Sequence, residues 1–179
     1  MRLHGLRAAD SIAVMSDDIV TERLILHLLT VEEAVRILED APGPADRWAD
    51  GFPTEDDQDG VRGFVKNAED GGADPAPFAC YRIDVGCDRT AIGSIGFYGP
   101  PDAGGRVTVG YGLVPHSWGN GYGSEALGGL VRFCRAHPAV HTMLADTHHD
   151  NRASQRVLTK NGFVLTRQDA ELLYYVLQV

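Results

Sequence analysis

The chain has 179 residues and a formal net charge of −9 with no lysine or arginine cluster, so one buried core is affordable and a negative field opposes nucleic-acid binding. Its 44% hydrophobic and 23% charged residues describe a globular domain, and no apolar run approaches the roughly 20 residues of a membrane helix. Neither nucleic acid nor membrane is therefore expected as a partner. Cys80, Cys87 and Cys134 match neither zinc spacing nor an even disulfide set, so a reducing cytoplasm is the expected setting, without a metal.

Residues 1–20 carry Arg2 and Arg7, but Asp10, Asp17 and Asp18 interrupt any secretory-type apolar stretch. They read as a poorly ordered extension, with Met15 an alternative start, ahead of one domain over residues 21–179. Thr21 to Leu29 alternates as a strand through Leu24, Leu26 and Leu28, and Thr30 then caps a helix over Val31 to Asp40 with Glu32 and Glu33 in its first turn. Prolines at 42 and 44 break it. A second helix is predicted over Asp56 to Ala68, ended by Gly71, Gly72, Pro75 and Pro77.

Three strands follow, Phe78 to Asp84, Ala91 to Tyr98 and Arg106 to Val114, separated by turn signals that suit hairpins. After Pro115 the period changes. Tyr122, Ala126, Leu127, Leu130, Val131 and Cys134 recur at helical spacing until His137 and Pro138. A strand over His141 to Asp146, a helix over Asn151 to Lys160 ended by Asn161 and Gly162, and strands over Phe163 to Thr166 and Leu172 to Leu177 close the chain. This order predicts a mixed α/β sheet, mostly antiparallel, of about six to seven strands and about four helices, with a parallel pairing beside the long helix.

Glycines alternate at 119, 121 and 123 within His116 to Ser124, immediately before that helix. Free N–H groups at a helix start, unobstructed by Cβ atoms, suit phosphate oxygens, though a tight strand-to-helix turn needs the same glycines. The spacing is neither a Walker loop, which ends Gly-Lys-Ser/Thr, nor the dinucleotide GxGxxG.

Val109 to Leu127, VGYGLVPHSWGNGYGSEAL, resembles motif A of the GNAT acetyltransferase superfamily, in the RimJ/RimL-like branch of ribosomal-protein alanine acetyltransferases. Asn151 to Phe163, NRASQRVLTKNGF, is similar to the branch's motif B, and TERLIL at 21 to 26 to its opening strand. The resemblance implies a GNAT-like domain whose central strand bulges, with a splayed parallel pair holding the pantetheine arm of acetyl-CoA. Leu113, Val114, Trp118, Gly119, Asn120, Gly121, Tyr122, Gly123, Ser124, Asn151 and Ser154 would bind that co-substrate. It also implies direct acetyl transfer to a primary amine, a protein N-terminus or a small molecule, and a possible homodimer. An acyl-CoA-binding or sensor module of the same fold is the alternative.

Transfer to an amine needs a neutral nucleophile, a stabilised oxyanion and a proton for the departing thiolate. The branch's serine falls on Ser154, the candidate acid. Asn151 suits a helix N-cap as well as a pantetheine contact. The branch's glutamate ahead of the central-strand tyrosine is replaced here by Thr108 and Val109, which leaves His148, His149 and His116 as candidate bases. Cys134, on the apolar helical face, reads as a packed thiol. Trp48 and Phe52, with Tyr111, are candidate acceptor contacts, whereas Asp56 and Asp57 suit a helix start.

Overall fold

The structure is a computed structural model that describes residues 17–179; the expected extension lies outside the described residues up to residue 16. Among the described residues, eight strands and four helices run in the order β1 (Ile19–Val20), β2 (Leu24–Leu28), α1 (Val31–Leu38), α2 (Glu55–Glu69), β3 (Cys80–Val85), β4 (Thr90–Phe97), β5 (Arg106–Leu113), α3 (Tyr122–Ala136), β6 (Thr142–His148), α4 (Arg152–Lys160), β7 (Val164–Gln168) and β8 (Leu172–Gln178). The strand beyond the expected number is β1. Its two residues pair with Leu26 and Ile25, so the end of the stretch read as an extension belongs to the sheet.

Strand order is β1-β2-β3-β4-β5-β6-β8-β7, antiparallel throughout except at β5 and β6. Paired residues share a face. Leu26 and Ile83 belong to one face, where a Cβ on Gly129 of α3 would lie 3.2 Å from Leu26. Ser94 and Gly112 belong to the other, where the Ser94 hydroxyl donates to Asp57 of α2 and Gly112 lies under Asp56. The helices α1 and α2 thus cover one face and α3 and α4 the other.

The apolar stripe of α3, Ala126, Leu127, Leu130, Val131 and Cys134, is buried against Leu24, Leu26 and Met143 in one continuous core. Both N-terminal helices start on capping boxes. In α1 the pair is Thr30 and Glu33, and in α2 it is Thr54 and Asp57, each satisfying otherwise orphaned N–H groups. Among the described residues no helix is long and apolar enough to cross a membrane, and no group of His, Cys, Asp or Glu is placed to hold a metal ion.

The parallel pair positions the site. Its register runs only from Arg106 opposite Thr142 to Thr108 opposite Leu144, although β5 continues to Leu113 and β6 to His148. Beyond that point the two strands separate, leaving a gap in the middle of the sheet.

Candidate active site

A cleft of about 1020 Å³ fills the gap, lined by residues of both sheet faces. On the α2 side lie Asp56, Asp59, Ser94, Gly96 and Gly110, and on the α3 and α4 side lie Leu113, Gly121, Gly123, Ser154 and Val157. The cleft therefore passes through the sheet. Beside the gap, Gly110 and Gly112 of β5 carry no side chain, and Tyr98 and Asp56 occupy the space next to them.

At one end is the glycine turn. Gly119 and Gly121 have φ of 78° and 80°, in the left-handed region where a Cβ is costly, and Gly121 is the N-cap of α3. The cap supplies no side-chain acceptor, and the first helical bond is from the Glu125 N–H to the Gly121 carbonyl at 3.0 Å. The N–H groups of Tyr122, Gly123 and Ser124, ahead of that bond, thus remain for an external acceptor, at the positive end of a 15-residue helix. These donors fit phosphate oxygens. Trp118, 63% exposed, stands at the lip with its indole N–H donating to the Leu113 carbonyl at 2.8 Å.

Midway, Tyr111 and Ser154 meet: their side-chain oxygens are 2.9 Å apart, and the phenol also donates to the Ser154 carbonyl at 3.3 Å. Burial pushes the Tyr111 phenol up to about 12, with the Ser154 hydrogen bond acting against it. It stays protonated at neutral pH and can donate. Asn151 caps α4 through its side-chain oxygen on the Ser154 N–H at 3.0 Å, which fixes the first turn carrying Ser154.

The other end is acidic. Asp56 and Asp59 of α2 and Asp146 of β6 line it together with Tyr98, a residue 76% exposed that lies beside Gly110. Partial burial, then Asp146, Cys80, Asp56 and Asp59, hold the Tyr98 phenol above its ordinary value. Near the glycine turn, by contrast, Arg156 and Lys160 of α4 line the wall. The sequence did not mark these acids as a group, because α2 and β6 are remote in the chain.

Of the expected cofactor residues, Leu113, Trp118, Gly119, Gly121, Tyr122, Gly123, Ser124, Asn151 and Ser154 line the cleft. Val114 and Asn120 do not: Val114 is fully buried and donates its N–H to Ile92, while the Asn120 side-chain amide bonds the Ser117 and Trp118 carbonyls and shapes the turn. His148 lines the cleft. His149 is turned away, with Nε2 at 2.9 Å from the Asp169 carbonyl, and His116 sits on the short helical turn Pro115–Ser117 outside the lining.

Trp48 and Phe52, expected as acceptor contacts, do not line this cleft. Trp48 bridges to Ala91 beside β4 and its ring meets Phe52 edge-on at 5.3 Å, while Phe52 is buried in the core. Packing takes both rings. Cys134 is fully buried, and desolvation pushes its thiol up to about 12, as suits a packed residue.

The chain resembles the uncharacterized N-acetyltransferase YjdG of Bacillus subtilis (strain 168), 32% identical over 85 residues, which is 48% of this chain and 51% of that protein. The match thus spans about half the length of that curated relative. Among solved structures, an acetyltransferase (GNAT family) from Bacillus anthracis superposes with a TM-score of 0.64 at 17% identity, covering 90% of this chain and 98% of that one. The ribosomal L7/L12 alpha-N-protein acetyltransferase RimL, solved in complex with coenzyme A, gives 0.62 at 16% identity over 90% and 98%. At these identities the superpositions establish the fold. The sequence pattern of the acetyltransferase (GNAT) domain matches residues 23–164, and the chain belongs to that family.

Proposed function

We propose that the chain is an acetyl-CoA-dependent N-acetyltransferase, its domain spanning residues 21–179 together with β1, working in the cytoplasm on a primary amine that is positively charged in solution. The observation that carries this reading is the through-sheet cleft, with uncapped helix N–H groups at one end, three carboxylates at the other and Ser154 between them. RimL and the microcin-immunity acetyltransferase MccE, both similar in fold, were solved with coenzyme A and acetyl-CoA respectively, which supports the same co-substrate here.

Bound acetyl-CoA supplies the thioester carbonyl that the amine attacks. The N–H groups of Tyr122, Gly123 and Ser124 receive its pyrophosphate, and the stretch of β5 from Val109 to Leu113, paired with β4 but not with β6, offers backbone partners to the pantetheine amides on its β6 side. Asp56, Asp59 and Asp146 attract the ammonium and hold it at the gap; its proton leaves through this acidic mouth or through His148. Ser154 gives its hydroxyl proton to the departing thiolate and regains one from solvent, with the Tyr111 phenol 2.9 Å away supporting the serine oxygen. An α-amine suits this arrangement better than a lysine, because its pKa of about 8 leaves an appreciable neutral fraction at pH 7.

Titration calorimetry with acetyl-CoA, followed by thiol release against a panel of N-terminal peptides and small amines, tests the proposal. Saturable binding and amine-dependent thiol release are expected. No heat on titration would sink the cofactor assignment, and binding without release from any amine would point to a sensor instead.

A further inference from the structure

Glu125 occupies the first turn of α3, within one helical turn of the N–H groups assigned above to phosphate. A carboxylate there gains from the helix dipole, but its charge opposes an incoming anion at the same place. Burial pushes its pKa up, and the hydrogen bonds from Thr21, the Arg23 N–H and the Arg23 guanidinium outweigh that and hold it below the ordinary value. It is ionised at neutral pH. Something must offset it before a pyrophosphate can settle.

Arg23, at the turn between β1 and β2, is placed to do this. Its backbone N–H donates to Glu125 Oε1 and its Nε to Oε2, both at 2.7 Å, while Thr21 Oγ1 donates to Oε1 at 2.6 Å. Nη1 donates to the Asn120 carbonyl at 3.0 Å, and Cζ lies 4.7 Å from the centroid of the Tyr122 ring. Nη2, which makes no hydrogen bond among the described residues, lies 3.5 Å from where a Cβ on Gly121 would be. A single guanidinium thus touches the helix's first acid, the residue before its cap, the cap itself and the ring of its first residue.

We infer that Arg23 is a positioning residue of the phosphate site, whose charge cancels that of Glu125 and so opens the α3 N-terminus to an anion. The inference rests on the acetyl-CoA reading above. A purely mechanical clamp would use the same hydrogen bonds, but it would be indifferent to removal of the Glu125 charge, and that difference is measurable.

The experiment is calorimetry with coenzyme A on the full chain as wild type, R23Q, R23K and the double variant R23Q/E125Q, with thermal unfolding run on each. A point charge lost beside an anion site should raise the R23Q Kd by about ten-fold or more, with kcat at saturating acetyl-CoA unchanged. R23K, which keeps the charge, and R23Q/E125Q, which removes both charges, should each bind within about three-fold of wild type. S-acetylpantetheine, a donor without phosphate, should be turned over alike by R23Q and wild type. The inference is overturned if R23K or the double variant binds as weakly as R23Q, if R23Q binds as wild type, or if S-acetylpantetheine turnover falls in parallel with coenzyme A affinity. Absence of binding by the wild type would overturn the acetyl-CoA reading itself, and the inference with it.

Discussion

The phenolic oxygen of Tyr111 lies 2.9 Å from Oγ of Ser154, a contact that joins β5 to α4 across the gap left by the splayed strands. Because burial pushes that phenol up to about 12, it serves as a hydrogen-bond donor throughout the neutral range rather than as a base. Removing it takes support from the serine without touching the glycine turn. Tyr111→Phe is expected to lower kcat by about three- to ten-fold, the worth of one hydrogen bond, with the KM for acetyl-CoA nearly unchanged. Steady-state kinetics at saturating amine measures both.

Ser154→Ala removes the proposed proton donor itself. Its kcat should fall by about 100-fold or more while coenzyme A affinity stays near wild type, because the Asn151 cap engages the backbone N–H of residue 154 and survives the change. Unchanged turnover would take Ser154 out of the chemistry.

Gly121 has φ of 80°, so Gly121→Ala strains the cap of α3 at a cost of about 1–2 kcal/mol. The new methyl also points towards Arg23 Nη2, 3.5 Å away. A lower melting temperature and weaker coenzyme A binding are expected together, read by thermal unfolding and calorimetry.

His27 bridges Asp18 at 2.8 Å and Glu33 at 3.0 Å, with Arg82 3.7 Å from the same Glu33 oxygen. The Glu33 hydrogen bond raises the His27 pKa above 6.5 despite burial. A raised folded-state pKa contributes stability that is complete below the unfolded value and fades as pH rises through the folded one. Burial pushes Glu33 up, but His27 and Thr30 outweigh it and bring it to about 2, so its share is present above its ordinary value of 4.5 and lost as pH falls towards about 2. The pair therefore supports the fold most between the ordinary values of the two groups, 4.5 for Glu33 and 6.5 for His27. In His27→Gln, melting temperature plotted from about pH 5 to pH 8 should decline less towards the alkaline end than in wild type; parallel curves would contradict the assignment.

Most elements were legible from local chemistry. Alternation at Leu24, Leu26 and Leu28 marks β2, and Thr30 with Glu33 marks the start of α1, because each signal sits within a few adjacent residues. The two residues of β1 are too few to show a period, so only their pairing with β2 reveals them. The glycine turn was equally local. The Arg23–Glu125 pair and the grouping of Asp56, Asp59 and Asp146 were not, since each depends on where the sheet brings distant segments together. Reading Asp57 as part of a helix start matches its bonds to the Thr54 N–H and hydroxyl, yet its other oxygen reaches through to Ser94 on the cleft wall. The edge-on packing of Trp48 on Phe52 was not legible either, because it depends on how the segment before α2 folds against β4.

A gap that opens on both faces of a sheet has two doors. On the proposed reading, with phosphate bound on the α3 side and the amine drawn to the acidic end on the α2 side, donor and acceptor would enter by separate routes and meet at the level of Ser154. Neither would then block the other's entry or exit, and initial-rate kinetics should show no obligatory order of binding. An inhibitor that joined the two would have to thread the sheet, and it would be held from both sides at once.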